Sequence, residues 1–121
     1  VVYTGTHDHP TMAGWLASAS ADDLALAERD LAAAGIEDDD LEWALVRLAL
    51  SSCARIAILP MQDVLGLGDE ARMNHPGTVG NGNWQWRLEP GLLSSGLAAR
   101  LREATAQSKR LAPVARLLAT A

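Results

Sequence analysis

Residues 4 to 11, Thr4-Gly5-Thr6-His7-Asp8-His9-Pro10-Thr11, set two imidazoles around one carboxylate just after the apolar run Val1-Val2-Tyr3. Three chemistries suit those residue types. His7 and His9 are two apart, so an extended backbone points both rings the same way, as a divalent-metal site needs. A catalytic metal also needs a third ligand and its supporting shell, and His75 is the one remaining histidine. Alternatively, Asp8 serves the turn, accepting local backbone N–H groups while the histidines stay exposed. In the third reading Asp8 is a carboxylate aimed into an active-site cleft from the end of a strand, where barrel enzymes carry their catalytic groups.

A second concentration of chemistry runs from Pro60 to Arg87, PMQDVLGLGDEARMNHPGTVGNGNWQWR. Arg72, Asn74, Arg87, Trp84 and Trp86 all fall within it. Sugars present apolar C–H faces and a rim of hydroxyls, which flat aromatics, planar amides and guanidiniums match. Trp84 and Trp86, at i and i+2, share a side if the chain there is extended. The alternatives are tryptophans that close the bottom of a core, and an Asn74 and Arg72 that brace the loop. Gly66-Leu67-Gly68-Asp69-Glu70-Ala71 matches G-x-G-x-x-A, but Pro60 through Leu65 separate it from the preceding apolar run and any helix must end before Pro76. A dinucleotide fingerprint follows a strand directly and opens a helix, so this one is refused.

The elements that position these residues follow from periodicity and punctuation. Residues 1–6 predict a short buried strand, and Pro10 or Thr11 opens a helix. Asp22 and Asp23 suit a helix start, Leu24, Ala27, Leu31 and Ala34 form its stripe, and Gly35 stops it. Asp38, Asp39 and Asp40 cap a further helix in which Leu41, Ala44, Leu45, Leu48 and Ala49 form one stripe. Trp43, Val46 and Leu50 widen that stripe, so this helix is expected to be covered on two sides. Residues 53–59, CARIAIL, predict a second strand buried on both faces. Residues 60–90 predict a long loop with short helical turns near 62–65 and 69–73. A last helix over 94–111 turns Leu97, Leu101 and Ala104 inward and Arg100, Arg102, Glu103 and Gln107 outward, and Pro113 breaks it before Val114, Leu117 and Leu118. Strand, helices, strand, helix is the order of βα units in a parallel sheet. The expected fold class is α/β and helix-dominated, and two of eight such units would occupy a fraction of a (β/α)₈ barrel like this one.

Taken in order, Thr4-Gly5-Thr6-His7-Asp8, Thr11, Gly14-Trp15, Gln62-Asp63-Val64-Leu65-Gly66-Leu67-Gly68, Ala71-Arg72-Met73-Asn74, Pro76-Gly77-Thr78 and Gly82-Asn83-Trp84-Gln85-Trp86-Arg87 resemble the C-terminal quarter of 4-α-glucanotransferases, the amylomaltases or disproportionating enzymes of glycoside hydrolase family 77. The resemblance implies that residues 1–121 are the C-terminal part of a single catalytic TIM-barrel domain, strand 7 through the C-terminal helices. It implies transfer of α-1,4-glucan segments by a retaining double displacement, with maltooligosaccharides as partners and neither cofactor nor metal. Asp8 matches the family's third essential carboxylate, whose contacts to the reacting sugar tighten in the transition state. His7 matches the adjacent sugar-bonding histidine, and Asn74 matches an asparagine on the donor side of the cleft. Arg72, Trp84 and His9 join them as substrate-binding candidates, although many members carry Asn-Asp where this chain has His9-Pro10. Nothing here matches the nucleophile or the acid/base. Two further readings stay open: a non-catalytic glucan-binding or scaffold domain, and a metal-dependent hydrolase fragment using His7 and His9.

The bulk numbers exclude other classes. The 121 residues are 49% hydrophobic and 21% charged, ordinary for a globular domain. No run of 18 apolar residues exists, so no membrane-spanning helix is expected. The net charge of −5 divides unevenly: residues 1–50 hold ten acids and two arginines, leaving the second half basic. Those bases are scattered, and the cluster over residues 100–116 reads as the solvated face of a helix, so no nucleic-acid partner is expected. A lone Cys53 and the lack of a signal peptide predict a reducing, cytoplasmic setting. A start at Val1 that is strand-like from the first residue, with no methionine, predicts a piece of a longer protein. Its uncovered strand and helix faces then predict self-association.

Overall fold

A computed structural model describes residues 1–111. Strand β1 (Val2–Tyr3) leads through α1 (Met12–Ser18), α2 (Ala21–Ala33) and α3 (Leu41–Ser51) to β2 (Ala57–Ile58). After β2 come α4 (Met61–Val64), a 3₁₀ turn (Asp69–Ala71) and α5 (Ser95–Gln107). The two strands pair in parallel, Val2 opposite Ala57 and Tyr3 opposite Ile58. Parallel neighbours need a crossover connection, and here three helices supply it. The strand–helices–strand–helix order and the helix-dominated composition agree with the sequence.

Helix boundaries obey their caps. Thr11, Ser20, Asp40 and Ser94 each place a side-chain oxygen on a first-turn N–H. Gly35 ends α2 with a positive φ of 65°. There the N–H of Ile36 bonds Leu31 O and that of Gly35 bonds Ala32 O, a Schellman closure. Helix α3 is the hub: Trp43, Val46 and Leu50 join Met12, Val64 and Ala104 in the core, and Val46 is fully buried. Its two-sided apolar pattern is used as expected, with α2 on one flank and α4 and α5 on others.

Three expectations need correction. The strands are two residues each, and Tyr3 and Ile58 are 51% and 45% exposed rather than buried on both faces. With one neighbour each, neither strand has a second ladder to extend it, and only one face of the pair meets the helices. The last helix stops at Gln107, not 111: Lys109 adopts a left-handed φ of 58°, and the N–H groups of Lys109 and Arg110 close back on Ala106 and Thr105. That reversal sends Arg110 to the end of α3, where its guanidinium donates to the carbonyls of Leu50 (2.5 Å), Ser52 (2.8 Å) and Ala54 (2.6 Å). A helix C-terminus leaves carbonyls without partners, and Arg110 supplies them. Finally, Trp84 has a φ of 64° within a turn, so it and Trp86 do not share a side by strand alternation. The break at Pro113 and the positions Val114, Leu117 and Leu118 lie outside the described residues.

Candidate functional site

The loop between β1 and α1 carries His7 and Asp8 at the C-terminal end of its strand, the end at which parallel α/β sheets bind ligands. The segment that follows β2 reaches across to hold them. Asn74 Nδ2 donates to Asp8 Oδ1 at 2.7 Å, and Arg72 Nη2 donates to the Asp8 carbonyl at 3.1 Å. His7 Nε2 stands 3.4 Å from Asp8 Oδ2. The His7 ring lies against Trp84, with centroids 5.0 Å apart and planes tilted by 42°. The structure thus brings His7, Asp8, Arg72, Asn74 and Trp84 together from three separate stretches of chain. Asp8 keeps half of its side chain exposed, so one face of its carboxylate stays open to a ligand.

Trp84 holds its position under strain. A bulky residue at positive φ is uncommon, and surrounding structure must impose it. Here its N–H bonds Met73 O at 2.6 Å. Asn83, one residue earlier, accepts the His75 N–H at 2.9 Å and donates to Thr78 O at 3.2 Å and Thr78 Oγ1 at 3.0 Å. This knot ties residues 75–84 into a platform beside Asp8. The turn glycines of the segment permit it, Gly77, Gly80 and Gly82 all having positive φ.

His9 is used differently. Its Nδ1 accepts the Thr6 N–H at 3.2 Å, which braces the loop, while the residue lines the same cleft as His7 and Arg72. Among the described residues no group of three His, Cys, Asp or Glu side chains could hold a metal ion. His75 contributes its backbone N–H to Asn83 instead of an imidazole to His7 and His9. The G-x-G-x-x-A stretch runs from the end of α4 into the 3₁₀ turn, with no strand entering it, as its context demanded.

Arg72 combines two tasks. Its side chain is 13% exposed and lines a cleft of about 170 Å³ with Thr6, His7, Gln62 and Met73. Besides Asp8, it faces Asp69, whose Oδ2 is 3.8 Å from Nη1. Asp69 Oδ1 in turn accepts the Thr11 N–H at 3.1 Å, so the guanidinium and this aspartate together bind the loop to the start of α1. A Cβ on Gly14 would strike that carboxylate, which explains a glycine in the first turn of α1. Two residues of this assembly, Asp63 and Asp69, escaped selection as site residues by sequence. Asp63 stands in the Gln62–Gly68 motif and Asp69 just beyond it, but spacing alone gives no sign that they grip the loop 51 and 58 residues upstream.

Fold and site together define an α/β segment that presents a carboxylate at a strand end beside a planar amide and an aromatic ring. The family model described as 4-alpha-glucanotransferase matches residues 1–94, and the chain belongs to that family. It is 50% identical over 114 residues to the 4-alpha-glucanotransferase of Thermus thermophilus, covering 92% of this chain and 23% of that protein. It is 48% identical over 88 residues to a chloroplastic/amyloplastic 4-alpha-glucanotransferase of Arabidopsis thaliana, covering 73% of this chain and 15% of that one. Among solved structures, an amylomaltase from Streptococcus agalactiae in complex with acarbose superposes with a TM-score of 0.81 at 32% identity, covering 91% of this chain and 22% of that chain. The chain therefore spans less than a quarter of the length of the relatives it matches.

These relatives correct the expected cytoplasmic setting, because those of three plants are named chloroplastic/amyloplastic. A single cysteine reports on redox environment and not on compartment. Organelle addresses sit in leader segments apart from the residues that make the fold. No helix among the described residues is long and apolar enough to cross a membrane.

Proposed function

We propose that residues 1–121 supply the C-terminal βα units of a single catalytic (β/α)₈ barrel, from strand 7 through the C-terminal helices, in a longer 4-α-glucanotransferase. That enzyme transfers segments of α-1,4-glucan to another glucan or to glucose by a retaining double displacement. The observation that carries this reading is the Asp8 carboxylate at the end of β1, held by Asn74 at 2.7 Å yet half exposed. A carboxylate so placed bonds hydroxyls of the sugar under reaction, and those bonds strengthen as the ring flattens toward an oxocarbenium ion. His7 adds a donor beside it. Trp84 offers an apolar face, Asn74 lines the donor side, Arg72 is a further substrate-binding group, and His9 stands at the rim.

Retaining transfer needs a nucleophile and an acid/base carboxyl about 5 to 5.5 Å apart across the scissile bond. Neither is assigned to this chain, so the 121 residues alone are inactive and self-associate through surfaces the rest of the barrel would cover. No metal or cofactor enters the proposed chemistry. Maltotriose is the test substrate. The longer enzyme converts it into glucose and longer maltodextrins, while the 121-residue chain leaves it unchanged. Lengthened products from the chain alone, or none from the longer enzyme, would falsify this assignment.

A further inference from the structure

Asp63 is a buried carboxylate, 2% exposed, and no part of the chemistry above uses it. Each of its oxygens takes one donor. Oδ2 accepts the Thr4 hydroxyl at 2.6 Å, and Oδ1 accepts the Met12 N–H at 2.9 Å. Thr4 follows the last residue of β1 and Met12 is the first of α1, so one carboxylate closes the base of the loop between them. Asp8 lies midway, four residues from either anchor. The same downstream segment then holds the loop beyond its base, through Asp69 on the Thr11 N–H, Arg72 on the Asp8 carbonyl and Asn74 on the Asp8 carboxylate.

The choice of residue follows from the donors. A hydroxyl and an amide N–H converge on one buried point, and an ionised carboxylate accepts both through separate oxygens. Such charge-assisted bonds are shorter and stronger than neutral ones. An asparagine would accept only one, forcing Thr4 to reverse its hydroxyl and accept from the new amide.

We propose that Asp63, acting with Thr4, is a positioning residue that fixes the base of the β1–α1 loop and thereby the aim of the Asp8 carboxylate at the sugar. The proposal rests on the reading of Asp8 given above. Misplacing a reacting group by about 1 Å costs on the order of 100-fold in rate, so a clamp remote from the chemistry can govern turnover.

Thr4→Val removes the donor at nearly constant shape, and Thr4→Ser restores it. Amide hydrogen exchange on the 121-residue chain reads the clamp itself. In Thr4→Val, the amides of residues 5–12 exchange at least about tenfold faster while those of α5 are unchanged, and Thr4→Ser matches the parent. Turnover of maltotriose by the longer enzyme reads the consequence, at a temperature where circular dichroism shows every variant folded. Thr4→Val lowers kcat about tenfold with KM within about twofold, and Thr4→Ser restores kcat. Arg110→Ala, which weakens the fold at the end of α3, leaves kcat unchanged. Wild-type exchange or wild-type kcat in Thr4→Val overturns the proposal, as does an equal loss of kcat in Arg110→Ala. A parent enzyme that fails to lengthen maltotriose refutes the glucanotransferase reading instead, and the exchange experiment still decides whether Thr4 and Asp63 hold the loop.

Discussion

Asn74 Nδ2 donates to Asp8 Oδ1 across 2.7 Å, joining residues 66 apart in sequence. The bond occupies one carboxylate oxygen and leaves the other beside His7 Nε2. Asn74 therefore fixes the rotation of the carboxylate without neutralising it. In the longer enzyme, Asn74→Ala lowers kcat on maltotriose about tenfold, since the side chain must find its orientation anew at each turnover. Asn74→Asp is worse than Asn74→Ala, because it sets a second carboxylate against Asp8 and raises the affinity of the pair for a proton. Steady-state kinetics of the two variants check the order.

Arg110 binds three carbonyls at and beyond the end of α3, which carries the core residues Trp43, Val46 and Leu50. Arg110→Ala leaves those acceptors without their partner and destabilises the fold by about 1 to 3 kcal/mol. Urea unfolding followed by tryptophan fluorescence reads this as a lower midpoint at unchanged slope.

Glu42, at the start of α3, has its carboxyl held above the usual 4.5, first by partial burial and then by the charges of Asp40 and Asp63. The folded chain binds this proton more tightly than the unfolded one. Ionising Glu42 therefore costs stability, with a penalty that sets in as pH rises through 4.5 and is complete above the raised folded value. Glu42→Gln, uncharged throughout, melts above wild type at pH 7, and the gap closes by about pH 3, below the ordinary carboxyl range. Thermal melts at the two pH values test the sign.

Strand β1 is flanked by an open groove of about 460 Å³ lined by Val2, Tyr3, Met12, Trp15, Leu45 and Leu48. Apolar surface of this kind recruits copies when nothing else covers it. Sedimentation velocity of the 121-residue chain shows a species heavier than one chain that grows with concentration. A single monomeric boundary at every concentration opposes the expectation.

What the sequence made legible were features fixed by near neighbours. Gly35 as a helix stop, the aspartates before α3 and the widened apolar stripe of α3 all depend on residues within a turn or two, and the structure uses each of them. The short strands were overdrawn, because periodicity registers apolar residues whether or not a second strand lies alongside. The left-handed turn at Lys109 carries no glycine or asparagine to signal it, and the carbonyls that hold Arg110 beyond it lie 56 to 60 residues upstream. At the site, Asp8, His7 and Asn74 could be picked from a matched motif, whereas the clamp formed by Asp63 depends on contacts 51 and 59 residues apart that no local pattern encodes. His9 shows the converse: its spacing from His7 suggested a shared ligand, and the turn instead spends its Nδ1 on Thr6.

The role of Asp8 is best tested by Asp8→Asn in the longer enzyme, which keeps the size of the side chain and removes its charge. Product lengths from maltotriose are followed by chromatography, with circular dichroism to show that the variant is folded. A folded variant whose kcat falls on the order of 1000-fold, as losing a contact made chiefly in the transition state should produce, is the predicted result. A folded Asp8→Asn enzyme that lengthens maltotriose at the wild-type rate contradicts the account.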